Sequence, residues 1–245
     1  MAAKNWSGSR IPDRDRPPSQ VKDLIVKTIG FSDWLKGMRK AMRFGEEAVV
    51  PCGDCNVCCM ASYLVYIGPN EGNVLAAIPS SFLFPAADLA EGALLLMHDG
   101  NGTCPLLIKG NCSAYRNRPR NCRSYDCRVF AATGISPGGD RPLVSERVDG
   151  WEFDYPFQTD HDEHKAVKSA ACFLLENADC FPEGFVPRAA LLQAILAIKV
   201  YKPFLGPSNT FCSTEHMGSK YNLSQAIISE ERNFSTVPSS ESANQ

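Results

Sequence analysis

The chain has 245 residues with 44% hydrophobic and 21% charged side chains, an ordinary globular balance that supplies one core of roughly 200 residues without staples over most of its length. A formal net charge of −2 gives no overall electrostatic ground for a nucleic-acid partner. The longest apolar stretch, 189–205, is interrupted by Lys199 and Lys202, which argues for a buried helix and against a membrane span.

Residues 1–19 are polar with three prolines and alternating charge, and read as a flexible tail. They contain no apolar core of a secretory leader, so the expected location is the cytoplasm, where thiols stay reduced. From residue 20 to 217 the pattern predicts a single domain, with a cysteine core over 50–130 and a helical remainder over 150–205. Residues 218–245, rich in Ser, Asn and Glu, read as a second flexible tail.

Within the domain, Val21, Leu24, Ile25 and Ile29 follow helical spacing. After a break at Gly30 a second helix is expected, with Ser32 as N-cap and Trp34, Leu35, Met38 and Met42 on one side. The stretch 51–60 is too rich in Cys, Gly, Asp and Asn for regular structure and reads as a ligand loop. Tyr63 to Ile67 is β-prone, and Gly68-Pro69-Asn70-Glu71 is turn chemistry able to start a short helix through Ile78. Pro79 and Pro85 then punctuate the chain, and Asp99-Gly100-Asn101-Gly102 forms a hairpin-type turn after 93–97. Thr159 is placed to cap a helix over His161 to Asn177 with Ala166, Ala170, Phe173 and Leu174 as its apolar stripe, and a further helix runs from Pro187 or Arg188 to Tyr201. The fold class expected is mainly α with short β or extended segments, carrying an irregular cysteine-ligated metal site packed on helices.

Eight of the eleven cysteines fall between positions 52 and 127. The first group is Cys52, Cys55, Cys58 and Cys59, with two residues between each of the first three. The second is Cys104, Cys112, Cys122 and Cys127. A metal centre needs several soft thiolates converging from different directions, and a two-residue spacer lets a tight loop aim two sulfurs at one point. The run Cys52, Cys55, Cys58 has the opening spacing of a bacterial ferredoxin, with Cys104-Pro105 as a candidate distant ligand. Adjacent side chains diverge on an extended backbone, so Cys58 and Cys59 are expected to serve two centres, or one centre and a spare thiol. Zinc, an iron–sulfur cluster and disulfide pairing all stay open at this level, the last disfavoured in a reducing compartment.

From Cys104 to Arg128 the chain carries six cationic residues against Asp126, a net +5 with the thiols neutral. Four thiolates on Zn²⁺ or on a cluster leave a 2− unit that arginines such as Arg118 and Arg123 would stabilise; an external anion is the competing use. Tyr115, Tyr125 and Asp126 lie among the ligands and are candidates to support them or take part in chemistry, with aromatic packing around a small site the commoner use. Cys172, Cys180 and Cys212 fall outside the cluster and read as packing residues. His161 and His164 share a helix face but lack the Glu of a metalloprotease HExxH. No dinucleotide, P-loop or nucleophile-elbow motif is present.

These residues resemble the CxxCxxCC family of zinc- or iron-chelating proteins, sometimes called YkgJ-like. Cys52-Gly-Asp-Cys-Asn-Val-Cys-Cys59 matches the naming motif. A second signature is similar through Cys104-Pro-Leu, Asn111-Cys-Ser-Ala-Tyr115, Arg118-Pro119, Asn121-Cys-Arg123 and Tyr125-Asp-Cys127. The resemblance covers 50–130, about a third of the chain. It implies a metal ion or cluster held by the eight cysteines, either as a closed zinc module presenting an interaction surface or as a redox centre. A related cysteine arrangement occurs in flagellin lysine N-methylases, which implies, as an alternative, iron–sulfur-dependent methyl transfer from S-adenosylmethionine to a protein substrate.

Overall fold

In a computed structural model, which describes residues 29–48, 50–52, 55–86, 91–138, 141–206 and 217–236, the first regular element is α1, Phe31–Phe44. Its inward face is Phe31, Trp34, Leu35, Met38 and Ala41, the three- and four-residue spacing that gathers one side of a helix. Gly45 ends it in the left-handed conformation, φ 72°, returning its N–H to the Ala41 carbonyl at 2.9 Å. Ser32 lies inside this helix and is not its cap. The carboxylate that receives the Ser32 N–H, at 2.8 Å, belongs to Asp160, 128 residues away.

Asp160 does the same for its own helix. Its other oxygen accepts the Phe157 N–H at 2.9 Å at the start of α6, Gln158–Glu176. One carboxylate thus satisfies orphan N–H groups of two helices and fixes their N-termini side by side. Those N–H groups hold the Asp160 carboxyl below its ordinary range, Ser32 first. Thr159 is therefore not the cap, and α6 begins three residues before His161.

The inward face of α6 is Ala166, Val167, Ala170, Ala171, Phe173 and Leu174, all buried. Its small residues let three neighbours approach: α1, α4 (Arg128–Thr133) and α7 (Ala190–Lys199). Phe31, Phe130, Phe173 and Phe204 fill the space between them. The expected stripe on α6 is present, and α7 is the predicted 188–201 helix trimmed at both ends. Helix α5, Pro142–Asp149, has proline at its start and packs on α4.

Residues 218–235, read from composition as a tail, instead belong to a long helix, α8, Met217–Ser235. Ile227 is fully buried and Phe234 nearly so. Arg39 of α1 ties the assembly together: it donates to the carbonyls of Ile198 and Lys199 at the end of α7, 2.7 and 2.6 Å, and pairs with Glu230 of α8 at 3.3 Å. The helix expected over Val21–Ile29 lies almost wholly outside the described residues, as do the N-terminal tail and Cys212. Among the described residues no helix is long and apolar enough to cross a membrane.

A second, smaller core lies between α1 and α4 in sequence. Strands β1 (Val65–Ile67), β2 (Leu83–Pro85) and β3 (Leu94–Leu96) form an antiparallel sheet in the order β1-β3-β2, with Ile67 and Pro85 both opposite Leu94. Short helix α2, Gly72–Ala77, follows the predicted Gly68–Glu71 turn. Its Val74 joins Ile67, Ile78, Leu96, Leu106 and Ala114 to make the core. The Asp99–Gly102 turn forms, with Asp99 accepting from the Asn101 and Thr103 N–H groups, but leads no hairpin. The hairpin is later, between β4 (Leu107–Ile108) and β5 (Asn111–Cys112). Its turn residues Lys109 and Gly110 both have positive φ, 52° and 78°, the requirement of a type I′ connection.

Candidate metal centre

The two cores meet where the cysteines are. Cys127 is buried within the helical core, at the head of α4, whereas Cys104 and Cys112 pack against the small one. Four separate chain segments contribute: the 52–59 loop, the turn at Cys104 with the β4–β5 hairpin, short helix α3 (Arg120–Ser124) with Cys122, and Cys127. All eight thiols are unpaired. Cys172, expected to be a packing residue, is engaged in a disulfide, and Cys180 is a free thiol against the helical core.

The ligand loop is irregular at first, with Cys55 returning its N–H to the Cys52 carbonyl at 3.0 Å. It then winds into a 3₁₀ turn over Val57–Met60. That turn alters the relation of Cys58 and Cys59. Their backbone is helical, not extended, and the Cys59 thiol donates to the Cys58 sulfur. The contact, aided by Arg118, brings Cys58 down to about 7 against the opposing effect of burial, while Cys59 moves up for the same reason.

Backbone hydrogen bonds draw the second group to this turn. The Cys104 N–H donates to the Cys59 carbonyl at 2.7 Å, and Asn56 donates from its amide to the Gly110 carbonyl in the hairpin turn at 3.3 Å. The hairpin register then sets Cys112 opposite Leu107. Burial pushes Cys122 up to about 12, with Cys58, Cys104 and Cys112 adding to it, and burial likewise raises Cys104 and Cys112.

Cys52 behaves in the same way, and Cys58 acts on it as well. Burial raises Cys52 to about 12, with Cys127 the largest charge contribution, followed by Cys55. Cys127 itself is pushed up to about 11 by burial, against the pull of a hydrogen bond from the Trp151 indole N–H, 3.1 Å from its sulfur. Trp151 is held in turn by two guanidinium groups, Arg147 at 4.2 Å and Arg128 at 5.5 Å from its ring. Crowded, dehydrated thiols that raise one another are the situation a bound cation reverses, because it stabilises every thiolate at once.

Arg118 lies beside Cys58, Cys112 and Cys122, its guanidinium 3.9 Å from the Tyr115 ring. Its Nε is buried and finds no acceptor among the described residues, and its charge favours the thiolates of Cys58, Cys112 and Cys122. Arg123 turns elsewhere and pairs with Glu47 at 3.2 Å. Tyr125 packs on Tyr63, rings 5.3 Å apart, and burial with the Tyr63 hydroxyl raises it further. Asp126 is committed to Arg128 and Trp34.

The chemistry of the donor set, soft, unpaired and backed by an orphan guanidinium N–H, fits zinc or iron. Among the described residues no three His, Cys, Asp or Glu side chains form, as placed, a group that could hold a metal ion, so ligation requires the sulfurs to draw closer. Arg128 is one of the six cations counted in the sequence, whereas Trp151 and Arg147 were not singled out there as supports of the site. They lie on or beyond its C-terminal edge and carry no metal-ligand signature.

The His161/His164 pair stands apart. The Tyr155 hydroxyl lies 2.6 Å from His164 Nδ1, and its ring stacks on His161 at 4.6 Å. With Lys165 and Lys168 they line a cavity of about 450 Å³ on α6 that touches none of the clustered cysteines. No protein-family description, curated protein or solved structure matches the chain.

Proposed function

We propose that this is a metal-binding protein whose eight clustered cysteines hold zinc or an iron–sulfur centre; the Cys172 disulfide runs against the reducing cytoplasm expected from the sequence. The observation that carries the reading is that four segments deliver eight unpaired thiols to the seam between two cores, while Cys172 alone among the described cysteines is in a disulfide. The resemblance of Cys52–Cys59 to the CxxCxxCC motif agrees with it.

A stability argument points the same way. The small core rests on six buried residues, too few to hold the loops around it, and thiolate–metal bonds staple such loops. When bound, the metal supplies charge neutralisation for the thiolates and, if iron, an electron-carrying centre. The chain's own contribution is to keep the sulfurs dehydrated, with the Trp151 N–H and the Arg118 guanidinium beside them.

Purification without oxygen, followed by measurement of iron, sulfide and zinc per chain and a visible spectrum, tests this. Brown protein with matched iron and sulfide identifies a cluster, and colourless protein with stoichiometric zinc identifies zinc. Protein that remains metal-free after reconstitution with both overturns the proposal.

A further inference from the structure

One face of α6 takes no part in the cysteine site and carries a constellation of its own. His161, Lys165, Lys168 and Cys172 follow one another at spacings of three or four residues, which sets them in line along one side of the helix. With His164 and the Tyr155 ring they line the cavity of about 450 Å³. His164 anchors it to the helical core, stacked on Phe31 at 4.2 Å and edge-on to Phe153 at 5.7 Å. The hydrogen bond of 2.6 Å between His164 Nδ1 and the Tyr155 hydroxyl holds Tyr155, whose ring in turn stacks on His161 at 4.6 Å. A chain of rings thus runs from the core to the exposed rim, so the aromatic wall is set before any ligand arrives.

Charge is segregated around this wall. The acids of the same stretch are engaged elsewhere: Asp160 receives the Ser32 and Phe157 N–H groups, Asp162 accepts from the Gln158 amide at 3.0 Å, and Glu163 accepts from the Tyr201 hydroxyl at 2.9 Å. Among the described residues no carboxylate lines the cavity, and neither Lys165 nor Lys168 is in an ion pair. Lysines on a convex helix face are ordinarily just solvated. These two border a concave surface that also presents the His161 ring and the Ser169 hydroxyl. We propose that the cavity binds a phosphate group, either as the free ion or as the monoester of a small molecule. Two ammonium groups match the two charges of that ligand, and Ser169 and His161 add directional hydrogen-bonding groups for its oxygens. A carboxylate ligand would leave one ammonium without a counter-charge. The volume leaves room beside the phosphate for an organic body against the Tyr155 ring. The cavity touches none of the clustered cysteines, so this proposal stands or falls independently of metal binding.

The test titrates the full-length protein with inorganic phosphate and with phenyl phosphate by calorimetry at physiological ionic strength, under argon and without added thiol so that the Cys172 disulfide stays closed. Saturable uptake of one equivalent is expected. K165Q/K168Q should weaken it by about tenfold or more, the loss typical of a hydrogen bond to a charged group. K36Q/K40Q removes the same charge from exposed positions on α1 and should leave the affinity unchanged. Tighter binding of phenyl phosphate than of inorganic phosphate assigns the site to a monoester, and equal or weaker binding assigns it to the free ion. In the wild-type protein the His161 ring resonances should shift with the same saturation. No saturable binding of either probe, unchanged affinity in K165Q/K168Q, or an equal loss in K36Q/K40Q overturns the proposal. Stationary His161 signals at saturation overturn it without recourse to any variant.

Discussion

The Trp34 indole N–H donates to the Asp126 carboxylate at 2.9 Å, spanning 92 residues of chain. The same carboxylate holds the Arg128 side chain at 2.8 Å, with both partners almost wholly buried. This ties α1 to the segment that carries Cys127 and sets the direction in which α4 leaves it. Breaking a buried pair from one side leaves an uncompensated charge, which typically costs about 3 to 5 kcal/mol. Asp126→Ala is therefore expected to lower the unfolding free energy of the metal-free, reduced protein by about that amount in urea. A loss below about 1 kcal/mol would show that Arg128 finds another partner.

Helix α8 gives a second prediction and a lesson about legibility. Leu223, Ile227 and Phe234 are spread through a sequence otherwise dominated by Ser, Asn and Glu, so its overall composition resembles that of a tail. Only three or four apolar positions dock it, together with the Arg39 ion pair to Glu230. Composition averages such a sparse stripe away. Ile227→Ala, at a fully buried position, should cost about 3 kcal/mol by chemical denaturation, whereas the same change in a true tail would cost nothing.

The longer helices were legible because a continuous apolar stripe repeats over several turns, as Ala166, Ala170, Phe173 and Leu174 do. Their caps were not. Ser32 and Thr159 have the right chemistry for an N-cap, yet Asp160 performs the role for both helices, and a carboxylate acting across 128 residues leaves no local signal. The two groups of cysteines are visible in the sequence, but as placed no three of the described ones form a group that could hold a metal ion. The contact between Cys58 and Cys59 was not legible, because it depends on whether the backbone coils or extends at Val57–Met60.

His164 gives a pH dependence. Burial, with the Lys168 ammonium, brings its pKa down from 6.5 to about 4, so the native protein keeps it neutral. The unfolded chain takes up a proton near 6.5 that the native protein refuses until about 4. Stability from this group is complete above 6.5 and is lost as the pH falls through that window, on the order of 3 kcal/mol in all. Replacing His164 with Gln should flatten the acid side of the stability profile between those values. Urea midpoints of the two proteins that fall in parallel from pH 7 to pH 4 would mean that another group is responsible.

Trp151 offers the sharpest probe of the site. Its N–H reaches the Cys127 sulfur, and the Arg147 and Arg128 cations on its ring restrict where the indole can lie. A hydrogen bond to a ligating sulfur stabilises the thiolate against protonation, and removing such a partner typically weakens metal affinity about 10- to 100-fold. Trp151→Phe retains the apolar ring while losing the donor. In competition with a chromogenic chelator, it should weaken the proposed metal binding at Cys127 by about tenfold. Arg147→Gln leaves the N–H in place but loosens the indole, so a smaller shift in the same direction is expected. Unchanged affinity in Trp151→Phe would mean that Cys127 is not among the ligands, because the sulfur this donor reaches at 3.1 Å is that of Cys127.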